Sequence, residues 1–590
     1  MTDGASVSAS GSASPSGQPQ FGIRSDAESG VVDVVVIGGG VAGLVAARQL
    51  AHLGNTVTVI EARDAVGGYV ATRELAGVQL DSGAESFATR KGTVAALVTE
   101  LGLGGDIVAP NPAGAWVAWD GGSAPLPAAG VLGIPGVPLA DDVRRVIGWS
   151  GSLRAYLDRL MPLLRVRTET DLGDIVRRRM GRRVLDRLVT PVVAGVHSAD
   201  PSMVDVHTVA PGLTQAMTTQ GSLSGAVMAL REQAPAGSQV QGIAGGVHRL
   251  IDALEADCRY YGVTFRTRTR VASVTRGDDA ADAAVGRPWT VVLAPADGAD
   301  AADGADAADA VPAGNADDVV LLCRAIVVAT GFRCGLALLD EAGVGHDDDA
   351  AASSLPSSPR GSVARPSVAA RDTPRVPSLG EWPEPASIAI ATLVIDDARL
   401  DAQPRGTGVL VAPGTPGVTA KALTHSSAKW AWLADALPVH RHVLRLSYGR
   451  RGPDAQTGDA GSRPSAPPEA EASGAPARAP ESGEPTASTE SGVDLATVLA
   501  DASTLLGVPL SETDVAGFDT TIWSESLAFA TVGHKARVRQ TLAAVEEVAG
   551  IDVVGAWVSG TGLAATVEHA RATASGLAAE LRGDRRLDLD

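Results

Sequence analysis

The sequence predicts an α+β fold, with a Rossmann-like dinucleotide-binding domain assembled from separated segments, a helical region and a mixed-sheet domain. Three observations carry this. After thirty Ser/Gly-rich residues come a continuous apolar strand (VVDVVVIG), a glycine run, a helically periodic stretch (GLVAARQLAHLG) and a second strand (NTVTVIEA), which together make a βαβ unit. Pieces of the same kind return mid-chain (GGVHRLIDALEADCRYYG into VTFRTRTRVASV, then LLCRAIVVATG) and at the end (IDVVGAWVSGTGLAATVEHARATASGLAAEL). Low-complexity stretches separate them, so 590 residues reduce to one enzyme-sized core with padding.

Within the opening unit, Gly38-Gly39-Gly40-Val41-Ala42-Gly43 fits G-x-G-x-x-G after a strand and at the start of a helix. Gly38 allows the tight turn, Gly40 lets backbone approach a pyrophosphate, and Gly43 permits close helix–strand packing at a helix N-terminus that favours negative charge. Glu61 closes the second strand eighteen residues beyond Gly43, where a carboxylate accepts ribose hydroxyl hydrogen bonds. The alternative is a Gly-rich structural turn. A basic helical zone follows from about Val143 to Val189; Arg177 to Arg179, Arg182 and Arg183 read as a solvated helix face or as a device steering an acidic substrate. Strands near SIAIATLVID and HVLRLSYG supply the mixed sheet.

Composition narrows the function classes. A net charge of −19 repels phosphate backbones, which excludes nucleic acid as the expected partner. Cys258, Cys323 and Cys334 have neither metal-ligand spacing nor disulfide density, so no metal site is expected and the compartment reads as reducing and cytoplasmic, with peripheral placement at a membrane left open. The segment Gly121 to Ala140 carries four prolines, so no transmembrane segment is expected there, and the N-terminal tail has neither the basic start nor the apolar core of a signal. Ten aspartates lie between Asp278 and Asp318, opposed only by Arg287, which reads as a solvated insertion.

A second glycine pair, Gly67-Gly68, follows Glu61-Ala62-Arg63, and this E-A-x-x-x-x-G-G pattern resembles the amine-oxidase-like flavoproteins. The likeness implies FAD. It narrows to the porphyrinogen oxidases through Leu80 to Phe87 with Arg90-Lys91, Thr190 to Pro201, Gly245 to Leu250, Gly408 to Val411, Ser426 to Trp430, Trp523 with Val532-Gly533-His534, and Gly560-Thr561-Gly562. The soluble, coproporphyrinogen-using type is the most similar.

By that resemblance, Gly38 to Gly43, Glu61, Ala62, Arg63, Gly67 and Gly68 hold FAD, Gly83, Ala84, Glu85 and Ser86 pass near the flavin, and Val271 meets the adenine through its backbone. Trp523 borders the flavin or is ordinary core packing. Thr561, Gly562 and Leu563 lie at the N-terminus of the last helix, where backbone N–H groups stabilise charge on a reduced flavin. No cysteine occurs near that loop, so FAD is expected to be non-covalent. Arg90 and Lys91 are candidate cations for substrate propionates, with an exposed surface pair as the alternative; His197 is a candidate acid or base, with a packing role as the alternative. The implied reaction converts coproporphyrinogen III to coproporphyrin III with O2 as acceptor and product passing to a ferrochelatase; protoporphyrinogen is the alternative substrate.

The implied organisation is a disordered tail (1–30), FAD-binding segments at 31–105, 216–276, 319–339 and 546–590, a helical subdomain at 106–215, substrate-domain segments at 384–451 and 493–545, and insertions at 277–318, 340–383 and 452–492. Three positions depart from the family pattern: Ala528-Phe529-Ala530 replaces Pro-Gln-Tyr, His197 replaces Tyr, and Ser-Gly-Thr-Gly-Leu ends where Gly-Val-Gly-Ile-Pro is usual. Rival readings are an amine oxidase, a carotenoid-desaturase relative, for which an anchoring apolar surface would speak, and a flavoprotein that binds without turnover.

Overall fold

The computed structural model describes residues 31–161, 171–197, 199–233, 240–277, 289–295, 319–345, 374–449, 493–526, 531–560 and 562–587. Strand β1 (Val31–Ile37) has Val34, Val35 and Val36 fully buried, as a strand covered on both faces requires. Helix α1 (Val41–His52) follows and stops at Gly54 (φ 87), where the Asn55 N–H bonds back to the Leu50 carbonyl. The chain then returns as β2 (Val57–Ile60), parallel to β1.

Val319–Val328 lies on the other side of β1, also parallel, and Thr264–Arg266 extends the sheet beyond β2. The first half of Val319–Val328 pairs antiparallel with Trp289–Pro295, which pairs in turn with Thr269–Arg276; its second half pairs parallel with Ile551–Val553. One face of this sheet packs on α1, helix Arg249–Tyr260 and the last helix, α2 (Leu563–Leu587). The other packs on helices Phe332–Glu341 and His534–Glu546 with Trp289, Trp382 and Trp557.

A second seven-stranded sheet runs Val515–Ser526, Ala386–Asp396, Arg441–Gly449, Ala422–His425, Gly408–Val411, Trp116–Trp119, Gly122–Pro125, antiparallel except where Gly408–Val411 meets Trp116–Trp119. Helix Leu495–Leu506 covers one face through Val498, Leu499, Ala502 and Leu505. Val394, Val443 and Arg445 look the other way, toward the nucleotide-binding half.

Four expected boundaries need correction. Trp289–Pro295, inside the expected acidic insertion, is a strand of the first sheet because its alternation buries Trp289, Val291 and Leu293. Trp116–Pro125, expected within the helical subdomain, is a hairpin closing the second sheet. Trp382, expected in a low-complexity insertion, packs edge-on against Trp557 and His534. Helix His534–Glu546, placed with the substrate domain, buries Val538, Ala544 and Val545 against the first sheet. The tail at 1–30, the insertion at 452–492 and Ala528 to Ala530 lie outside the described residues.

The helical region contains a helix, Asp141–Tyr156, interrupted at Gly148 (φ 71, ψ 169), with a short 3-10 turn, Leu157–Leu160, following it. Beyond Gly148 its inner face is small or polar, with Ser152, Ala155 and Asp158 fully buried. Its outer face is apolar: Trp149, Leu153, Tyr156, Leu157 and Leu160 are all exposed.

Candidate functional site

Two glycines of the run, Gly38 and Gly43, hold places that no other residue could fill. Gly38 has φ 107, and a Cβ there would sit 2.7 Å from the Ala329 carbonyl oxygen; a Cβ on Gly43 would sit 1.9 Å from the Gly38 carbonyl oxygen. Gly40 differs: a Cβ there meets no atom within 4 Å, so the space in front of it is open. Helix α1 starts at this opening with no side-chain cap, and Val41 and Ala42 are buried in its first turn. Those first-turn N–H groups and the helix dipole suit a pyrophosphate.

Glu61 is already held in place. Its Oε2 accepts from the Gly39 N–H at 2.7 Å and its Oε1 from the Arg63 N–H at 2.9 Å. Ala62 lies in the bend between these two contacts, and the Gly67 N–H donates to the Gly39 carbonyl, drawing the second glycine pair alongside the first. Gly67 (φ 125) and Gly68 (φ 60) turn the chain there. Val271 lies at a bulge in Thr269–Arg276, and the Thr269 N–H donates to the Glu61 carbonyl, so the residues expected at ribose and adenine are neighbours. Glu61→Ala is expected to weaken FAD binding by about 1–3 kcal/mol through lost charged hydrogen bonds, read by titrating flavin fluorescence on the apoprotein.

Gly83 is pinned between the two halves: a Cβ there would lie 1.9 Å from the Tyr69 carbonyl oxygen and 3.1 Å from Trp523. Trp523 is 7% exposed, stacks obliquely on Tyr69 at 5.1 Å and donates its Nε1–H to the Ser82 carbonyl at 3.3 Å. The Arg63 guanidinium lies 5.6 Å from its ring, which links it to the Glu61 loop. The Ala84 N–H donates to the Tyr69 carbonyl, and Ser86 leads into buried Phe87.

The Glu85 side chain has work of its own. Its Oε1 accepts from Lys429 Nζ at 2.5 Å, and its Oε2 from Arg445 Nη1 at 2.9 Å and Ser426 Oγ at 3.1 Å; Arg445 Nη2 donates to the Gly83 carbonyl at 2.6 Å. Burial pushes the carboxyl pKa up, but Lys429 and Arg445 override it and hold the group at about 2. This cluster fastens Gly83–Ser86 to the second sheet. Sequence reasoning missed Arg445; an arginine inside the apolar run HVLRLSYG was its signal.

Gly560 (φ 98) and Gly562 (φ 93) break the chain before Leu563 opens α2, and Leu563 packs on the first core; Thr561 lies outside the described residues. Lys91, at φ 61, binds both carboxylate oxygens of Glu568 on α2 at 2.9 Å, with both side chains more than half exposed, an arrangement of the surface-pair kind. Arg90 opens the same turn (Arg90–Gly92), and His197 ends helix Thr190–His197. His534 is buried and neutral at pH 7, its pKa lowered by burial to about 4, and its Nε2–H donates to the Trp557 carbonyl. No group of metal-ligating side chains occurs among the described residues.

Residues 41–329 match the family described as flavin containing amine oxidoreductase. The match takes in 289 of the chain's 590 residues. It is 28% identical over 424 residues to the coproporphyrinogen III oxidase of Mycobacterium tuberculosis, covering 71% of this chain and 76% of that protein. It is also 28% identical over 239 residues to the coproporphyrinogen III oxidase of Bacillus subtilis, covering 38% of this chain and 50% of that relative, so it spans half of the latter's length. Its fold matches a protein assigned as a protoporphyrinogen oxidase from Exiguobacterium sp. with TM-score 0.67 and 20% identity, covering 93% and 99% of the two chains. The open space at Gly40, the uncapped start of α1 and the preset Glu61 carboxylate fit the flavin that this family's description names.

Proposed function

We propose that this flavoprotein oxidises coproporphyrinogen III to coproporphyrin III, with three O2 giving three H2O2, on FAD held without a covalent bond. The observation carrying the reading is the convergence of Gly38–Gly43, Glu61, Gly67, Gly83 and Trp523 into one wall between the two sheets, in a chain whose relatives are named coproporphyrinogen III oxidase. FAD, when bound, supplies the hydride acceptor. The chain's own part is to orient and shield: α1 and Glu61 fix the nucleotide end, and Trp523 with Tyr69 makes an apolar border beside Gly83. Cys258 and Cys323 are buried in the cores, and the sequence has no cysteine near Gly560 to Leu563, which supports a non-covalent cofactor.

The test is to hold the purified, flavin-loaded chain with coproporphyrinogen under anaerobic conditions and then admit air, following porphyrin fluorescence. A burst of coproporphyrin fluorescence that the heat-denatured protein does not give is expected, and acid precipitation should release all the yellow flavin into the supernatant. Fluorescence rising no faster than in the protein-free control would end the reading. A second reading, a carotenoid-desaturase relative, is favoured by the apolar outer face beyond Gly148, and oxidation of a carotenoid without porphyrin formation would establish it.

A further inference from the structure

Three charged side chains meet beside Gly83, and their charges do not cancel. Lys429 and Arg445 both bind the Glu85 carboxylate, at 2.5 and 2.9 Å, so two cations share one anion. Glu85 stays ionised throughout the neutral range, its pKa being held at about 2. A guanidinium keeps its proton in any protein, and an ammonium in contact with a carboxylate is favoured in its charged form. The cluster therefore carries one net positive charge.

Solvent screens that charge little. Arg445 is buried, and its Nε–H has no hydrogen-bond partner among the described residues. Neighbouring acids are engaged elsewhere. Asp519, in the same cross-strand row as Thr392 and Arg445, pairs with Arg73. Asp81, two residues before Gly83, accepts from the Val247 and His248 N–H groups at 2.9 Å and lies 2.8 Å from His248 Nδ1. The surplus also reaches Gly83 directly, because Arg445 Nη2 donates to its carbonyl at 2.6 Å.

Uptake of a hydride, two electrons with one proton, leaves a flavin with one extra negative charge, and a fixed cation in poorly solvated surroundings favours the more negative of two states. We propose that the net positive charge of the Glu85–Lys429–Arg445 cluster raises the reduction potential of the flavin beside Gly83 and so strengthens it as a hydride acceptor. The inference rests on the proposed placement of that cofactor and requires no particular substrate.

The test is anaerobic reduction of the flavin-loaded full chain by dithionite beside a reference dye of known potential, without porphyrinogen, with both ratios read from visible absorbance. Lys429→Met removes one cation and leaves Glu85 paired with Arg445. At a given potential its ratio of reduced to oxidised flavin should fall about tenfold or more, which is about 30 mV for a two-electron couple. Glu85→Gln should move the ratio the other way. The double variant Glu85→Gln/Lys429→Met, which has the wild-type net charge, should return toward the wild-type potential, and Lys429→Arg should keep it. Loosened packing cannot give opposite shifts from two substitutions that weaken the same anchor. If Glu85→Gln is too unstable to load, Lys429→Met against Lys429→Arg decides. Equal potentials in wild type and Lys429→Met overturn the inference, as do shifts of one sign in Lys429→Met and Glu85→Gln. A wild-type chain that binds no flavin ends the cofactor reading and this inference together. Absence of coproporphyrin in the aerobic assay, with the opposite shifts present, ends only the substrate reading.

Discussion

Replacing Glu85 by glutamine is expected to cost the fold about 3–5 kcal/mol, because it leaves two buried cations without their shared anion. The Lys429 and Arg445 side chains are only 17% and 9% exposed, and among the described residues neither has a second carboxylate as a hydrogen-bond partner. The same group makes stability depend on acid. Its carboxyl pKa is lowered from 4.5 to about 2, so its contribution is complete above 4.5 and drains away as pH falls toward 2. At about 1.4 kcal/mol per pKa unit that contribution is roughly 3 kcal/mol, in line with the cost of the substitution. Urea unfolding at neutral pH reads the first effect. The second appears as convergence of wild-type and Glu85→Gln stabilities as pH drops below 4. Removing a cation as well, in Glu85→Gln/Lys429→Met, should restore part of the loss. A single variant within 1 kcal/mol of wild type would show that water, not Glu85, solvates these cations.

The contrast between Glu61 and Glu85 marks what one sequence can reveal. Glu61 was legible because the groups its carboxylate binds, the Gly39 and Arg63 N–H groups, lie within a contiguous stretch of chain whose periodicity and glycines are local signals. Glu85 was expected to lie near the flavin, but its partners stand more than 340 residues away, on strands whose pairing nothing in the sequence announces. Long-range sheet order also explains why Trp116–Pro125 was assigned to the wrong neighbourhood, since its partner Gly408–Val411 is remote, whereas Trp289–Pro295 was missed because it is a short strand set in an Asp-rich sequence. Sequence reading found Val143 to Val189 basic and helical, yet passed over the apolar stripe at Trp149. Period alone does not say which face of a helix meets the core.

Two alanine substitutions three residues apart are expected to fail in different ways. Gly43→Ala places a methyl 1.9 Å from the Gly38 carbonyl oxygen, and Gly38 cannot yield because it is itself pressed against Ala329 at φ 107. Helix α1 must therefore back away from β1, at an overpacking cost of about 3 kcal/mol or more, and both flavin content and apoprotein stability should collapse. Gly40→Ala meets no protein atom within 4 Å and sits at φ −69, ψ 176, a conformation open to alanine, so the apoprotein should unfold within about 1 kcal/mol of wild type. Its methyl instead fills the opening through which a pyrophosphate must approach the α1 N–H groups, and the purified protein should be colourless. The ratio of flavin to protein absorbance, measured beside the thermal midpoint of each apoprotein, separates the two. A yellow, fully loaded Gly40→Ala protein would mean that the dinucleotide does not pass over Gly40, and the opening there would lose its assignment.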